Sequence, residues 1–227
     1  MAIVLWSALS HGEVMKHLIF DWSGTVVDDL PPVLEATNAV LRYAGRPVMD
    51  RATFRRRFRL PYTEFYLEET PHVPMAELET EFRRAFAEST APVTILPEAR
   101  AFLDQAQAES RRMFVLSSAP ADAVVAQARA LGIHHYFEAF HAGVVDKIDY
   151  IPQLLAEHQL DPAELLYIGD MVHDIKTARH ANIFSVAVLT GYDYQEVLEA
   201  ARPDLLLPDL AHLGEWLKTG GAVPSQA

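Results

Sequence analysis

Cysteine is absent from all 227 residues, which excludes disulfide frameworks, thiolate metal centres and cysteine nucleophiles. A chain without thiols fits a reducing compartment, and the expected location is cytoplasmic. Basic charge is also scarce. Nineteen Lys and Arg stand against 31 Asp and Glu, for a net charge of −12. That balance excludes non-specific nucleic-acid binding and docking on anionic membranes, both of which need a basic face. Lysine is the rarest cation, present only as Lys16, Lys147, Lys176 and Lys218. Internal repeats and low-complexity tracts are missing. The one apolar opening, Met1 to Ser10, is too short to span a bilayer and lacks a basic leader. Residues 1–15 therefore read as a dispensable N-terminal extension and 218–227 as a C-terminal tail.

What remains is an alternation of short apolar runs with amphipathic stretches of helical length. Strands are expected at His17–Phe20, Met113–Leu116, Leu165–Ile168, Phe184–Leu189 and Asp204–Leu207. Helices are expected at Glu98–Ser110, Ala121–Leu131, Tyr150–Gln159, Asp174–Ala181 and Asp193–Ala201. Uninterrupted apolar strands alternating with helices imply an α/β fold, a doubly wound parallel sheet covered on both faces. Its reactive groups should gather beyond the carboxyl ends of the strands. Residues 30–95 break the alternation. They hold no convincing strand and read as helices near 32–44, 50–58, 62–69 and 75–89, with Pro31-Pro32 and Gly45 as start and stop signals. The division is a core of 16–29 and 96–217 with an inserted helical cap, 30–95, placed to exclude water and select substrates.

Four polar signals fall at strand ends. Asp21 ends the first apolar run and is followed by Ser23, Gly24 and Thr25, so a carboxylate sits on a fixed support before a glycine turn. Ser117 and Ser118 follow Val115-Leu116, where hydroxyls and main-chain N–H groups suit an anion. Lys147 interrupts an otherwise apolar approach to a helix. Asp170 and Asp174 follow Tyr167-Ile168-Gly169, and two carboxylates four residues apart can hold a hard cation through oxygen. Each signal alone has an ordinary structural explanation, such as a helix cap, a turn or a solvated side chain.

Together, in this order and spacing, the four resemble the haloacid dehalogenase superfamily, and within it the phosphoglycolate phosphatase branch with a helical cap. The resemblance covers about residues 16–217. It implies a hydrolase acting on a small anionic phosphorylated substrate, with Mg2+ as cofactor. Asp21 would be the nucleophile and form an aspartyl-phosphate. Asp21, Asp170 and the main-chain carbonyl of Ser23 would ligate the ion, and Asp174 would support its hydration. Ser117 and Lys147 would complete the catalytic set. Gly24, Thr25, Ser117, Ser118 and Lys147 would bind phosphate. Nothing in the sequence specifies an oligomeric state.

Ser23 departs from the pattern. Family phosphatases usually place a second aspartate there as general acid and base, a role worth ~100- to 10,000-fold. Asp28, Asp29 and His173 lie close enough in sequence to replace it. Bland roles are available for each: Asp29 could cap the helix that follows and His173 could face solvent. Ser23→Asp is expected to raise turnover by restoring the acid. Phosphonoacetaldehyde hydrolase-like or dehalogenase-like chemistry, or a weakly active binder of phosphometabolites, stay open as alternatives. Seven arginines, Arg42, Arg46, Arg51, Arg55, Arg56, Arg57 and Arg59, crowd the cap. One of them could read the far end of an anionic substrate, the rest being solvated or paired with acids such as Glu64, Glu68 and Glu69. Phe54, Phe58, Phe65 and Tyr66 read as cap core.

Overall fold

A computed structural model describes residues 15–220. The expectations placed on 1–14 and on the end of the tail, 221–227, lie outside the described residues. Six parallel strands form one sheet: β1 (His17–Phe20), β4 (Arg112–Leu116), β5 (Ala139–His141), β6 (Leu165–Gly169), β7 (Phe184–Val188) and β8 (Leu205–Leu207). Their spatial order is β5-β4-β1-β6-β7-β8, so β1 lies in the interior between β4 and β6. The chain first builds outward from β1 through β4 to β5, then crosses to the other side for β6 to β8. Register aligns Phe20 with Val115 on one side and with Ile168 on the other. The residues that follow these three strands therefore emerge side by side.

Alternation along each strand divides the core into two layers. Leu18, Phe20, Met113, Val115, Leu166 and Ile168 pack on α5 (Ala99–Ala108), α6 (Ala121–Ala130) and α10 (Leu210–Lys218). Ile19, Phe114, Leu165 and Tyr167 face the opposite way, onto α7 (Lys147–His158) and α8 (Val172–His180). Helix α9 (Gln195–Ala201) covers β7 and β8 through Leu198. Burial on both faces explains why these strands read as continuous apolar runs.

Between β1 and β4 the chain leaves the sheet. A two-residue strand β2 (Val27–Asp28) pairs antiparallel with β3 (Thr94–Ile95), and the pair brackets the departure and the return. The expectation of no strand in 30–95 is corrected at its last two residues. Two residues carry no period, and β3 exists only because Val27 and Asp28 offer partners. Within the excursion lie α1 (Leu30–Tyr43), α2 (Arg51–Arg57), α3 (Tyr62–Glu69) and α4 (Met75–Glu88). Prolines open α1 in its first turn, where their missing N–H is not needed. The Asp50 side chain caps α2 by accepting from Thr53 N. These helices share a core of Val40, Leu41, Phe54, Phe65 and Leu78, which extends to Met171 and Tyr192 of the sheet-bearing part. No helix among the described residues is long and apolar enough to cross a membrane.

Candidate active site

Asp21, Ser117 and Asp170 leave the carboxyl ends of β1, β4 and β6, and Lys147 opens α7. Helix α7 begins three residues earlier than its apolar pattern suggests, because Asp146 caps it by accepting from Ile148 N. That cap turns Lys147 inward, where its side chain is fully buried. Its ammonium lies 2.7 Å from Asp21 Oδ1 and 2.8 Å from Asp174 Oδ1. Carboxylate oxygens of Asp21, Asp170 and Asp174 all lie within 4.8 Å of one another. Four residues from three separate segments meet at one point.

Each member is held by a second set of bonds. Asp174 Oδ2 accepts from Met171 N at 3.0 Å, which closes the first turn of α8. Asp170 Oδ1 accepts from Thr25 Oγ1 at 2.9 Å and its Oδ2 from Tyr192 N at 2.7 Å. Thr25 is therefore turned toward Asp170, and neither it nor Gly24 lines the cavity beside Asp21. Gly24 has a φ of +77°, and a Cβ there would stand 2.5 Å from Asp170 Oδ2. At Gly191 the same addition would come within 1.9 Å of that oxygen. Only glycine lets the two loops close around this carboxylate.

Charge is unbalanced: one ammonium faces three buried carboxylates. Burial pushes the Asp21 carboxyl up to about 6, against the pull of Lys147, with Asp174 adding to the rise. Burial also carries Asp170 well above the usual carboxylate range, with Asp21 and Asp174 contributing. Burial opposes the charged form of Lys147, yet Asp174 and Asp21 hold its pKa well above the ordinary lysine value. An uncompensated, oxygen-only donor set fits a hard divalent cation such as magnesium. Lys147→Met should expose the same imbalance in metal-free buffer. With its cation gone, the buried Asp21–Asp174 pair is expected to cost about 3–5 kcal/mol in urea unfolding. A loss under about 1 kcal/mol would mean that Lys147 neutralises nothing that matters to folding.

The cavity floor is formed by Asp21, Ser23, Asp29, Ser117 and Ser118. Ser117 Oγ accepts from Ala119 N at 3.2 Å, while Ser118 Oγ is buried without a partner. Two expectations are corrected here. The Asp29 side chain does not cap α1; Asp28 instead accepts from Leu30 N at 3.2 Å. Asp29 is fully buried, accepting from Ser23 Oγ at 2.7 Å and from Tyr192 OH at 3.1 Å. Burial lifts its pKa to about 7 against those two bonds. His173 does not face solvent. It is 4% exposed, and its Nε2 accepts from Lys147 N at 3.2 Å, so it supports the first turn of α7.

The loop after β7 went unread in the sequence. Thr190 Oγ1 donates to Gly24 O at 2.6 Å, Tyr192 reaches both Asp170 and Asp29, and Asp193 Oδ2 accepts from Val172 N at 2.7 Å. A strand end followed by Thr190-Gly191 was the available signal. Arginine readings are also revised. Arg57 pairs with Glu69 and Arg59 with Glu68, as expected. Arg55 donates to the carbonyls of Tyr192 and Asp193 and lies 4.1 Å from the Tyr194 ring centre. None of the seven lines the cavity; Arg83 does. Phe58 and Tyr66 face the cavity as well as the helical core.

Known proteins carry the same frame. A phosphoglycolate phosphatase of Synechococcus elongatus is 28% identical over 197 residues, covering 85% of this chain and 92% of its own. One from Yersinia pestis is 27% identical over 214 residues, covering 88% and 92%. Among solved structures, a haloacid dehalogenase-like hydrolase of Streptococcus pneumoniae superposes with a TM-score of 0.77 at 22% identity, covering 88% of this chain and 97% of its own. A Clostridium acetobutylicum protein described as a predicted phosphatase reaches 0.82 at 17%, covering 90% and 98%. These last two share the fold. The sequence model of one family matches residues 18–188, from β1 through β7, and spans every strand end that contributes to the buried cluster. On that match, the chain belongs to the haloacid dehalogenase-like hydrolases.

Proposed function

We propose that this chain hydrolyses small phosphate monoesters by attack of Asp21 on phosphorus. The observation that carries the reading is the convergence of Asp21, Lys147, Asp170 and Asp174 beneath a cavity floored by serine hydroxyls. In-line displacement needs a positioned nucleophile and charge compensation more than it needs covalent help, and this arrangement supplies both. Asp21 attacks, the ester oxygen leaves as an alcohol, and an aspartyl-phosphate is left for water to cleave. Lys147 holds Asp21 Oδ1 and keeps the carboxylate ionised. Ser117 and the unpaired Ser118 hydroxyl are the floor groups available to phosphoryl oxygens. Thr25 steadies Asp170 in this reading, not phosphate.

Asp21, Asp170 and the Ser23 carbonyl would hold magnesium, with Asp174 in support. The ion, when bound, supplies charge stabilisation at the phosphoryl group. Helices α1–α4 act as the cap over the nucleophile. The leaving oxygen receives its proton from Asp29 through the Ser23 hydroxyl, the pair standing where one aspartate usually serves. Relatives named phosphoglycolate phosphatase make 2-phosphoglycolate the first ester to assay. Phosphate release from a panel of small monoesters should require added magnesium and fall to background in EDTA. Release that persists undiminished in EDTA, or none from any ester, defeats the reading.

A further inference from the structure

The cavity above Asp21 has two unlike ends, and the inference drawn from them rests on the monoesterase reading. Its floor is polar, as described. Its cap-side wall is Phe58, Leu60, Tyr62, Tyr66, Phe82 and Phe86. Phe82 and Phe86 stack with ring centres 5.8 Å apart, and Tyr62 stands edge-on to Tyr66 at 6.5 Å. Only two charged side chains interrupt this wall, Glu79 and Arg83, both on α4. Glu79 accepts from Tyr62 OH at 2.7 Å. Arg83 is exposed. The two carry opposite signs one helical turn apart, so together they bring no net charge to the wall.

A leaving group must lie against this wall when its phosphate occupies the floor. A two-carbon acid would bring its own carboxylate up to aromatic rings and the Glu79 carboxylate. Its one candidate cation, Arg83, is exposed to solvent, and no arginine from 42–59 lines the cavity. Removing a carboxylate from water without a matched, buried partner is unfavourable. A ring gains from the same surroundings, through apolar burial and edge-to-face contact. We infer that the substrates are phosphate monoesters of uncharged alcohols bearing an aromatic ring, with the ring lodged among Phe58, Phe82 and Phe86. Glu79 and Tyr62 then offer one polar contact for a hydroxyl or amide on that ring. The relatives' substrate name would not carry over to this chain.

The test compares benzyl phosphate with 2-phosphoglycolate on the full chain with magnesium. Both esters leave as primary alkoxides, so a difference reports the wall and not the chemistry at phosphorus. The expected result is a kcat/KM at least about tenfold higher for benzyl phosphate, the scale of discrimination an apolar pocket gives. Phe86→Ala should raise KM for benzyl phosphate about tenfold while kcat moves less than about threefold, because the ring contact is equal in ground and transition states. Inhibition constants on the unaltered protein add a measurement that no folding defect can disturb: benzylphosphonate should bind more tightly than phosphonoacetate. Equal efficiencies, a preference for 2-phosphoglycolate, or tighter phosphonoacetate binding overturn the inference and leave the monoesterase reading standing. No phosphate from any monoester tried, these two included, defeats the monoesterase reading and this inference with it, whereas release from other monoesters but not from benzyl phosphate overturns the inference alone.

Discussion

Asp21→Asn is expected to lower phosphate release by roughly 10,000-fold or more while leaving the fold intact, because an amide cannot form the covalent intermediate. The expectation of an intact fold follows from the charge arrangement. Asp21 is one of three buried carboxylates served by a single ammonium, and Lys147 keeps Asp174 at 2.8 Å when Asp21 is neutral. Asparagine has nearly the same shape and can still donate or accept at that position. Circular dichroism and urea unfolding should therefore match the unaltered protein within about 1 kcal/mol. Single-turnover chemistry gives the sharper readout. Acid-quenched wild-type enzyme should retain labelled phosphate on the protein, and the variant should not. Full activity in the variant would remove Asp21 as nucleophile and leave the cluster as a structural charge network.

Much of this site was legible because its members fall on the strongest local signals the chain has. Asp21, Ser117 and Asp170 each follow a strand that runs buried and apolar toward its carboxyl end, Leu18–Phe20, Met113–Leu116 and Leu165–Ile168, so the change to a polar residue is abrupt. Lys147 stood out by rarity. The parallel sheet was legible for the same reason, and β1 runs over the residues expected, His17–Phe20. Failures have a shared physical origin. Strand β5, with three residues, and the β2–β3 pair, with two each, are too short to show a period and owe their existence to partners distant in sequence. Helix α10 carries buried apolar residues at helical spacing, Leu210, Leu213 and Trp216, but it follows the last strand, so no strand-to-strand gap frames it. Arg55 could not be placed, since only the tertiary fold decides that it meets the carbonyls of Tyr192 and Asp193.

Asp29 is the most instructive case. Its position before Pro31 made a helix cap the economical reading, and its sequence neighbour Asp28 takes the local N–H instead. What draws Asp29 inward is Tyr192, 163 residues further along the chain. No local pattern could have revealed that contact. It also changes what Ser23→Asp should do. The added carboxyl would stand within hydrogen-bonding reach of a buried carboxylate, and two acids so placed cannot both ionise. The single change is therefore expected to lower or leave unchanged the turnover that sequence reasoning alone expected it to raise.

Asp29→Asn is expected to lower kcat/KM, which reports the step that expels the alcohol, about 100-fold or more for alkyl phosphates, whose departing oxygen needs a proton. With 4-nitrophenyl phosphate the loss should be under about fivefold, because that phenolate departs without help. The contrast separates a proton-handling group from a merely structural one, since a disturbed floor would slow both esters alike. Geometry sets the route. Ser23 is half-exposed at the cavity and Asp29 lies behind it, fully buried, with 2.7 Å between their oxygens. A hydroxyl in that place can accept a proton from the carboxyl and pass its own to the ester oxygen in one concerted movement. Ser23→Ala should then reproduce the alkyl-specific defect, because it cuts the path without touching Asp29. Exchanging the two residues, Ser23→Asp with Asp29→Ser, returns an acid to the cavity wall and a hydroxyl to the buried partner beneath Tyr192, so alkyl turnover should recover at least about tenfold over Asp29→Asn. Equal losses on both esters in Asp29→Asn, or an exchange variant no better than Asp29→Asn, would mean that the proton reaches the leaving group from water.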